Sequence, residues 1–196
     1  MGITTGINIT CSDLQSAGGI RSIIVRAWQT GDDITYVNSS TQHSISSIKK
    51  SGPANADWFV YEFKNETPSL TVSASKENGS TVYECSLSFM MPEMDNKKGA
   101  VIQHFMDQCM MVIAVGNNGK YYVLGASQKY QNENTDTATR NQTYASMTTA
   151  EGTSGAAYND DNGWTVTIGC KQWEAPRLYT GTLTMYDGGD FAATTT

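Results

Sequence analysis

The sequence predicts a mainly β fold, α+β in class. It reads as an antiparallel β-sandwich or barrel with one flanking helix over about 95–108 and long polar loops. Three observations lead there. Apolar residues alternate with polar ones at period two in run after run. Threonine and serine, 24 and 18 residues, take the place of charge, which is only 16% of the chain. One segment alone breaks that pattern with a helical period. A length of 196 residues suits a single domain over 1–196, since β domains commonly reach this size.

The elements follow in order. Ile20 to Ala27 is β-branched and is entered through Gly18-Gly19. Trp58 to Phe63 alternates Phe59, Tyr61 and Phe63 with Trp58, Val60 and Glu62, placing aromatic rings on both faces. Leu70, Val72 and Ala74 alternate with Thr71, Ser73 and Ser75. The clearest strand is 81–90, with Tyr83, Cys85, Leu87 and Phe89 on one side. Asn78-Gly79 joins these two as a hairpin, supplying the positive-φ residues of a tight turn.

Asp95 is placed to cap a helix over Asn96–Gln108, whose apolar stripe is Val101, Ile102, Phe105, Met106 and then Cys109. Gly99 weakens its first turn by about 1 kcal/mol relative to alanine. Met110–Val115 and Lys120–Leu124 form a second hairpin about Gly116-Asn117-Asn118-Gly119. Trp164, Val166, Ile168 and Cys170, and then Tyr179, Leu183 and Met185, close the series of strands.

Two polar stretches, 28–57 and 127–162, read as long loops with sparse anchors: Ile45 and Ile48 in one, Tyr130, Tyr144 and Met147 in the other. Loops of this length inside compact domains are uncommon unless they bind something. Both are therefore expected to be assembly loops, too polar to pack on their own core and ordered by a neighbouring subunit. The tail 187–196 is expected to be loose.

Charge and motifs exclude several classes. The net charge is −6, from 13 basic and 19 acidic residues. No stretch forms the basic stripe that phosphate gripping requires. The longest apolar run, Cys109 to Val115, is far short of the roughly twenty residues of a membrane span. No signal-peptide h-region follows Met1, so no secretory leader is expected. Cys11, Cys85, Cys109 and Cys170 are too scattered for a zinc site and read as reduced structural thiols.

The chain carries no GxSxG, phosphate loop, GxGxxG or HExxH. His104 falls on the flank of the helix and His43 in a Ser/Thr-rich loop, neither with a partner for catalysis visible in the sequence. Asn159-Asp160-Asp161-Asn162-Gly163 lacks the register of a calcium loop and reads as a turn before a strand. No enzymatic activity, catalytic residue, metal or cofactor is expected. Trp58, Tyr61, Tyr121, Tyr122, Trp164, Trp173 and Tyr179 could form a carbohydrate-stacking platform, but period-two placement favours packing.

Short motifs in order resemble the tail tube proteins of phages of the Bacteroidetes group. They are Thr10-Cys11-Ser12-Asp13-Leu14 with Gly18-Gly19-Ile20, the aromatic strand Trp58–Phe63, and Met94-Asp95-Asn96-Lys97-Lys98. Val112–Val115 with Asn118-Gly119-Lys120-Tyr121-Tyr122-Val123-Leu124-Gly125 continues the series. Thr149, Gly152-Thr153, Asp160–Ile168 and Glu174-Ala175-Pro176 complete it. The likeness covers most of residues 8–180; the stretch 28–57 and the extension after Arg177 are longer than the family's pattern.

The resemblance implies a structural virion protein, made in the bacterial host cytoplasm and residing in the phage tail. Its partners would be copies of itself in rings, generally six-membered, stacked into a DNA-ejection tube, together with other tail proteins. DNA would touch it only in passage, and no membrane is implied. The competing reading is a carbohydrate- or receptor-binding β-sandwich module of a fibre or adhesin.

Overall fold

The computed structural model describes residues 17–28, 33–38, 43–49, 58–63, 66–128, 143–157, 159–185 and 190–192. They form a mainly β fold with one helix. The strands are β1 (Ile20–Ala27), β2 (Asp33–Asn38), β3 (His43–Lys49), β4 (Phe59–Glu62), β5 (Ser69–Glu77) and β6 (Ser80–Pro92). The helix α1 (Asn96–Asp107) follows, then β7 (Met110–Gly116), β8 (Tyr121–Leu124), β9 (Ala145–Thr153) and β10 (Gly163–Gln172). Three short strands close the series: β11 (Arg177–Tyr179), β12 (Thr182–Thr184) and β13 (Asp190–Ala192).

Eleven strands share one mixed sheet in the order β2-β3-β11-β8-β7-β9-β10-β6-β5, with β1 on the other edge of β7 and β4 beyond it. Among the described strands every pairing is antiparallel except β11 with β3, and Trp58 bridges Met185 in parallel, so the expected antiparallel sheet is corrected to a mixed one. The organising strand is β7. Its sequence Met110-Met111-Val112-Ile113-Ala114-Val115-Gly116 carries no polar side chain, and all seven residues are buried. A strand apolar on both faces must have a core on each side.

Those two cores are distinct. On one face Val112 and Ala114 of β7 join Ile23 and Val25 of β1, and lie across from Leu87, Phe89, Val166 and Ile168 of β6 and β10. Ile102 and Phe105 of α1 plug the same core. On the other face Met111, Ile113 and Val115 meet Ile45 and Ile48 of β3 and Trp58, Tyr179, Leu183 and Met185. The sheet thus folds over β7 from both sides. The fold-over turns at Gly125, where β8 leaves β7 and β9 takes over through Met110 opposite Ala145. Gly125 has φ +87°, and a Cβ there would stand 2.8 Å from the Met110 carbonyl oxygen and 3.0 Å from the Ala145 nitrogen.

Local signals place several elements as read. Asp95 caps α1, accepting from the Lys98 amide at 2.7 Å, which holds its carboxyl below the ordinary range. Asn78 and Gly79 turn β5 into β6 with φ 48° and +84°. Cys85 and Cys170 are buried opposite one another on β6 and β10, and burial pushes their thiols up to about 12 and about 11.

The loop reading fails in part. Within 28–57 the chain forms the hairpin β2–β3, and Ile45 and Ile48 are buried in the protomer's own core at 0% and 7% exposure. The reason is a bulge: Thr35 pairs with Ser47 but Tyr36 with Ile45, leaving Ser46 as the extra residue. Two isoleucines three apart therefore face the same core, which strict alternation does not reveal. Within 127–162 the same device recurs in β9. Thr149 pairs with Thr167 and Met147 with Ile168, so Thr148 is extra, and Met147 and Ala150 both turn inward. His43 is the first residue of β3 rather than part of a loop. In the tail expected to be loose, Asp190–Ala192 pairs with β12. Tyr130 and the motif at residues 10–14 lie outside the described residues.

Candidate functional site

The outer face of β9-β10-β6-β5 is the most distinctive surface. Alternation sends Leu87, Val166, Ile168 and Met147 to the core, and so sends their neighbours outward. Cross-strand registers align those neighbours in rows. Ser69, Ser88, Thr167 and Thr149 form one row, and Thr71, Ser86, Gly169 and Ser146 the next. A third row holds Ser73, Glu84 and Lys171, in which the Lys171 ammonium lies 2.7 Å from the Glu84 carboxylate. Glu151 stands opposite Thr165 on the same face. Among the described residues of these rows the charges are the Glu84–Lys171 pair and the Glu151 carboxylate, set among the hydroxyls of Ser and Thr.

A groove of about 600 Å³ runs over this face, with Gly169 on its floor and Tyr144, Ser146, Thr148 and Thr71 among its walls. A Cβ at Gly169 would fall 2.8 Å from the Thr148 methyl, so the glycine lets the bulged Thr148 lie down over β10. Tyr144 is 40% exposed and meets Trp28 edge-on, with ring centroids 6.5 Å apart. Of the described anchors expected from sequence, Tyr144 alone is on the surface. Ile45, Ile48 and Met147 belong to the cores, and Tyr130 lies outside the described residues.

The face is bounded by two strand edges. Among the described residues β5 pairs only with β6, and β9 touches β7 only at Ala145, leaving Ser146–Thr153 with β10 as its one partner strand. Exposed main-chain donors and acceptors along such edges are templates for another strand.

A second polar constellation is internal and was not legible from the sequence. Arg177, 2% exposed, donates from Nε and Nη2 to the two carboxylate oxygens of Glu174 at 3.0 and 2.9 Å. It also donates to Asn38 Oδ1 at 2.7 Å and Gln128 Oε1 at 3.0 Å, and its guanidinium lies 4.9 Å from the Tyr36 ring centroid. His43 Nε2 stands 3.4 Å from Glu174 Oε2. Burial opposes ionisation of Glu174, but the Arg177 hydrogen bonds and the Gln128 amide outweigh it and hold the carboxyl below its ordinary value. Burial and the Arg177 charge lower His43. The cluster ties β2 and β3 to β11 and to the chain leaving β8. Its one sequence signal is the spacing of Glu174 and Arg177 either side of Ala175-Pro176.

His104 is exposed on α1. Among the described residues no three His, Cys, Asp or Glu side chains converge as a metal site. No helix among them is long and apolar enough to cross a membrane. Among the described residues, fold and surface define a mainly β chain with one helix, distinguished by a hydroxyl-rich sheet face between two strand edges. No family model, curated protein or solved structure matches this chain.

Proposed function

We propose that the chain is a structural virion protein, a phage tail tube subunit whose copies form stacked rings around a DNA-ejection channel. The observation that carries this reading is the hydroxyl face of β9-β10-β6-β5, bounded by strand edges at β5 and β9. A wall that lets a polyanion slide needs wet, uncharged groups and no cationic stripe, because each lysine or arginine at a phosphate adds attraction. Here the one lysine of the three rows is matched by Glu84. Edge strands at both ends of the face let main-chain pairing carry it from copy to copy. The motif resemblance described above supports the same reading.

Negative-stain microscopy of the purified protein tests it: tubes or rings are expected, and their wall facing the channel is this hydroxyl surface. Dispersed small particles at all concentrations overturn it. Tyr144 beside the hydroxyl groove favours one second reading, a carbohydrate-binding module, for which saturable glycan binding lost in Tyr144→Ala is the sign. No turnover of glycans, peptides or nucleotides is expected under either reading.

A further inference from the structure

The two long sides of the first core differ. On one side α1 lies along β9, from Met94, whose methyl is beside Gly152, to Met110 opposite Ala145. It fills the gap between β9 and β4, where Phe105 meets Tyr61 edge-on with centroids 5.1 Å apart. Outside this contact Met106 is 51% exposed. On the other side, beyond β5, a cleft of about 480 Å³ opens between Leu70 and Val72 of β5 and Ile20, Asn118 and Tyr122 opposite. Val72 is 43% exposed although it stands opposite Cys85, which is 2% exposed. Among the described residues, one side is plugged by a helix, and the other is an open and largely apolar cleft.

We propose that the helix side of one copy docks on the open side of the next, β9 pairing with the edge of β5 and Met106 entering the Leu70–Val72 cleft. The proposal rests on the ring reading above and names its contact surfaces. Alternation fixes the geometry. A β9 strand added to β5 in continuation of the sheet keeps its core-facing residues, and the helix packed over them, on the side of Leu70 and Val72. The hydroxyls of Ser146 and Thr149 then continue the rows of Thr71 and Ser69. Methionine suits a cleft of imperfect shape, being unbranched and polarizable. The contact is heterologous, so each copy added presents a fresh open side, and the chain of copies closes into a ring or runs on. An edge contact of β5 with β5 would leave the helix side unused.

The test is a cross-link. Val72→Cys and Met106→Cys are placed together in full-length protein carrying Cys11→Ser and Cys109→Ser, and a mild thiol oxidant is added. Residues 72 and 106 lie on opposite sides of one copy, so their bond forms between copies. A reducible ladder of dimers, trimers and larger species is expected, at least tenfold above either single-cysteine control, with the 72–106 peptide pair found by mass spectrometry. Tubes that form without that bond overturn the docking and keep the ring reading. Ladders without tubes or rings keep the docking and overturn the tube. Protein that stays monomeric and gives no ladder overturns both.

Discussion

Every nitrogen of the Arg177 guanidinium has an acceptor, and the ion pair with Glu174 is nearly sealed from water. Removing one partner of such a pair leaves an uncompensated buried charge, which typically costs about 3–5 kcal/mol. Arg177→Ala is therefore expected to destabilise the protein by about that amount, read from the urea midpoint. The same cluster sets the response to acid. Glu174 is held below its ordinary value of 4.5, so its contribution is complete above that pH and is lost as the pH falls through the folded-state value. His43 is held below 6.5, so the fold favours its neutral form and loses stability as the pH drops below 6.5. Both slopes run the same way. Urea midpoints are expected to fall from pH 7.5 to 5.5 and again to 4, and His43→Gln is expected to flatten only the first step. No regular spacing announces the cluster as a whole, because its members come from four segments that only the folded sheet brings together.

Glycines on two elements separate propensity from geometry. At Gly99 a Cβ meets nothing within 4 Å, so Gly99→Ala is expected to stabilise α1 by about 0.5–1 kcal/mol. At Gly125 the positive φ and the backbone of β7 and β9 close behind it forbid a side chain. Gly125→Ala is expected to destabilise by about 1–3 kcal/mol, and thermal unfolding of the two variants side by side checks both signs. Strands with unbroken alternation, β5, β6 and β10, were legible in the sequence, as were the capped helix and the Asn78-Gly79 turn. β3 and β9 were not. Each hides its inward residues behind one bulged Ser or Thr, at Ser46 and Thr148, so that Ile45 with Ile48 and Met147 with Ala150 fall out of period two. A polar composition then reads as loop. The hydroxyl face was legible only as alternating Ser and Thr; its continuity depends on registers between strands that no local pattern specifies.

At the scale of the molecule, the packed β3 changes what a deletion does. Removing residues 39–48 takes away Ile45 and most of the strand that covers the second core, so a loss of folded signal by circular dichroism is expected rather than a folded monomer unable to assemble. Assembly is better probed at the strand edges. Under the tube reading, a cryo-EM map of the assembly is expected to show a channel of neutral or negative potential, with Ser69, Ser88, Thr149 and Thr167 toward the axis. A channel lined chiefly by lysine and arginine would overturn it.

The burial of β7 on both faces also has a consequence for biosynthesis. Ile24 of β1 faces Ile113 across the sheet, so the earliest of the described strands waits for a partner made about 90 residues later. Neither core can close before β7 emerges, since it supplies residues to both. The nascent chain meanwhile carries the apolar face of β1 and the aromatic rings of β4 without their final cover. Translation speed through residues 28–109, and the holdases available during that interval, are thus selectable traits of this protein in the same sense as its surface.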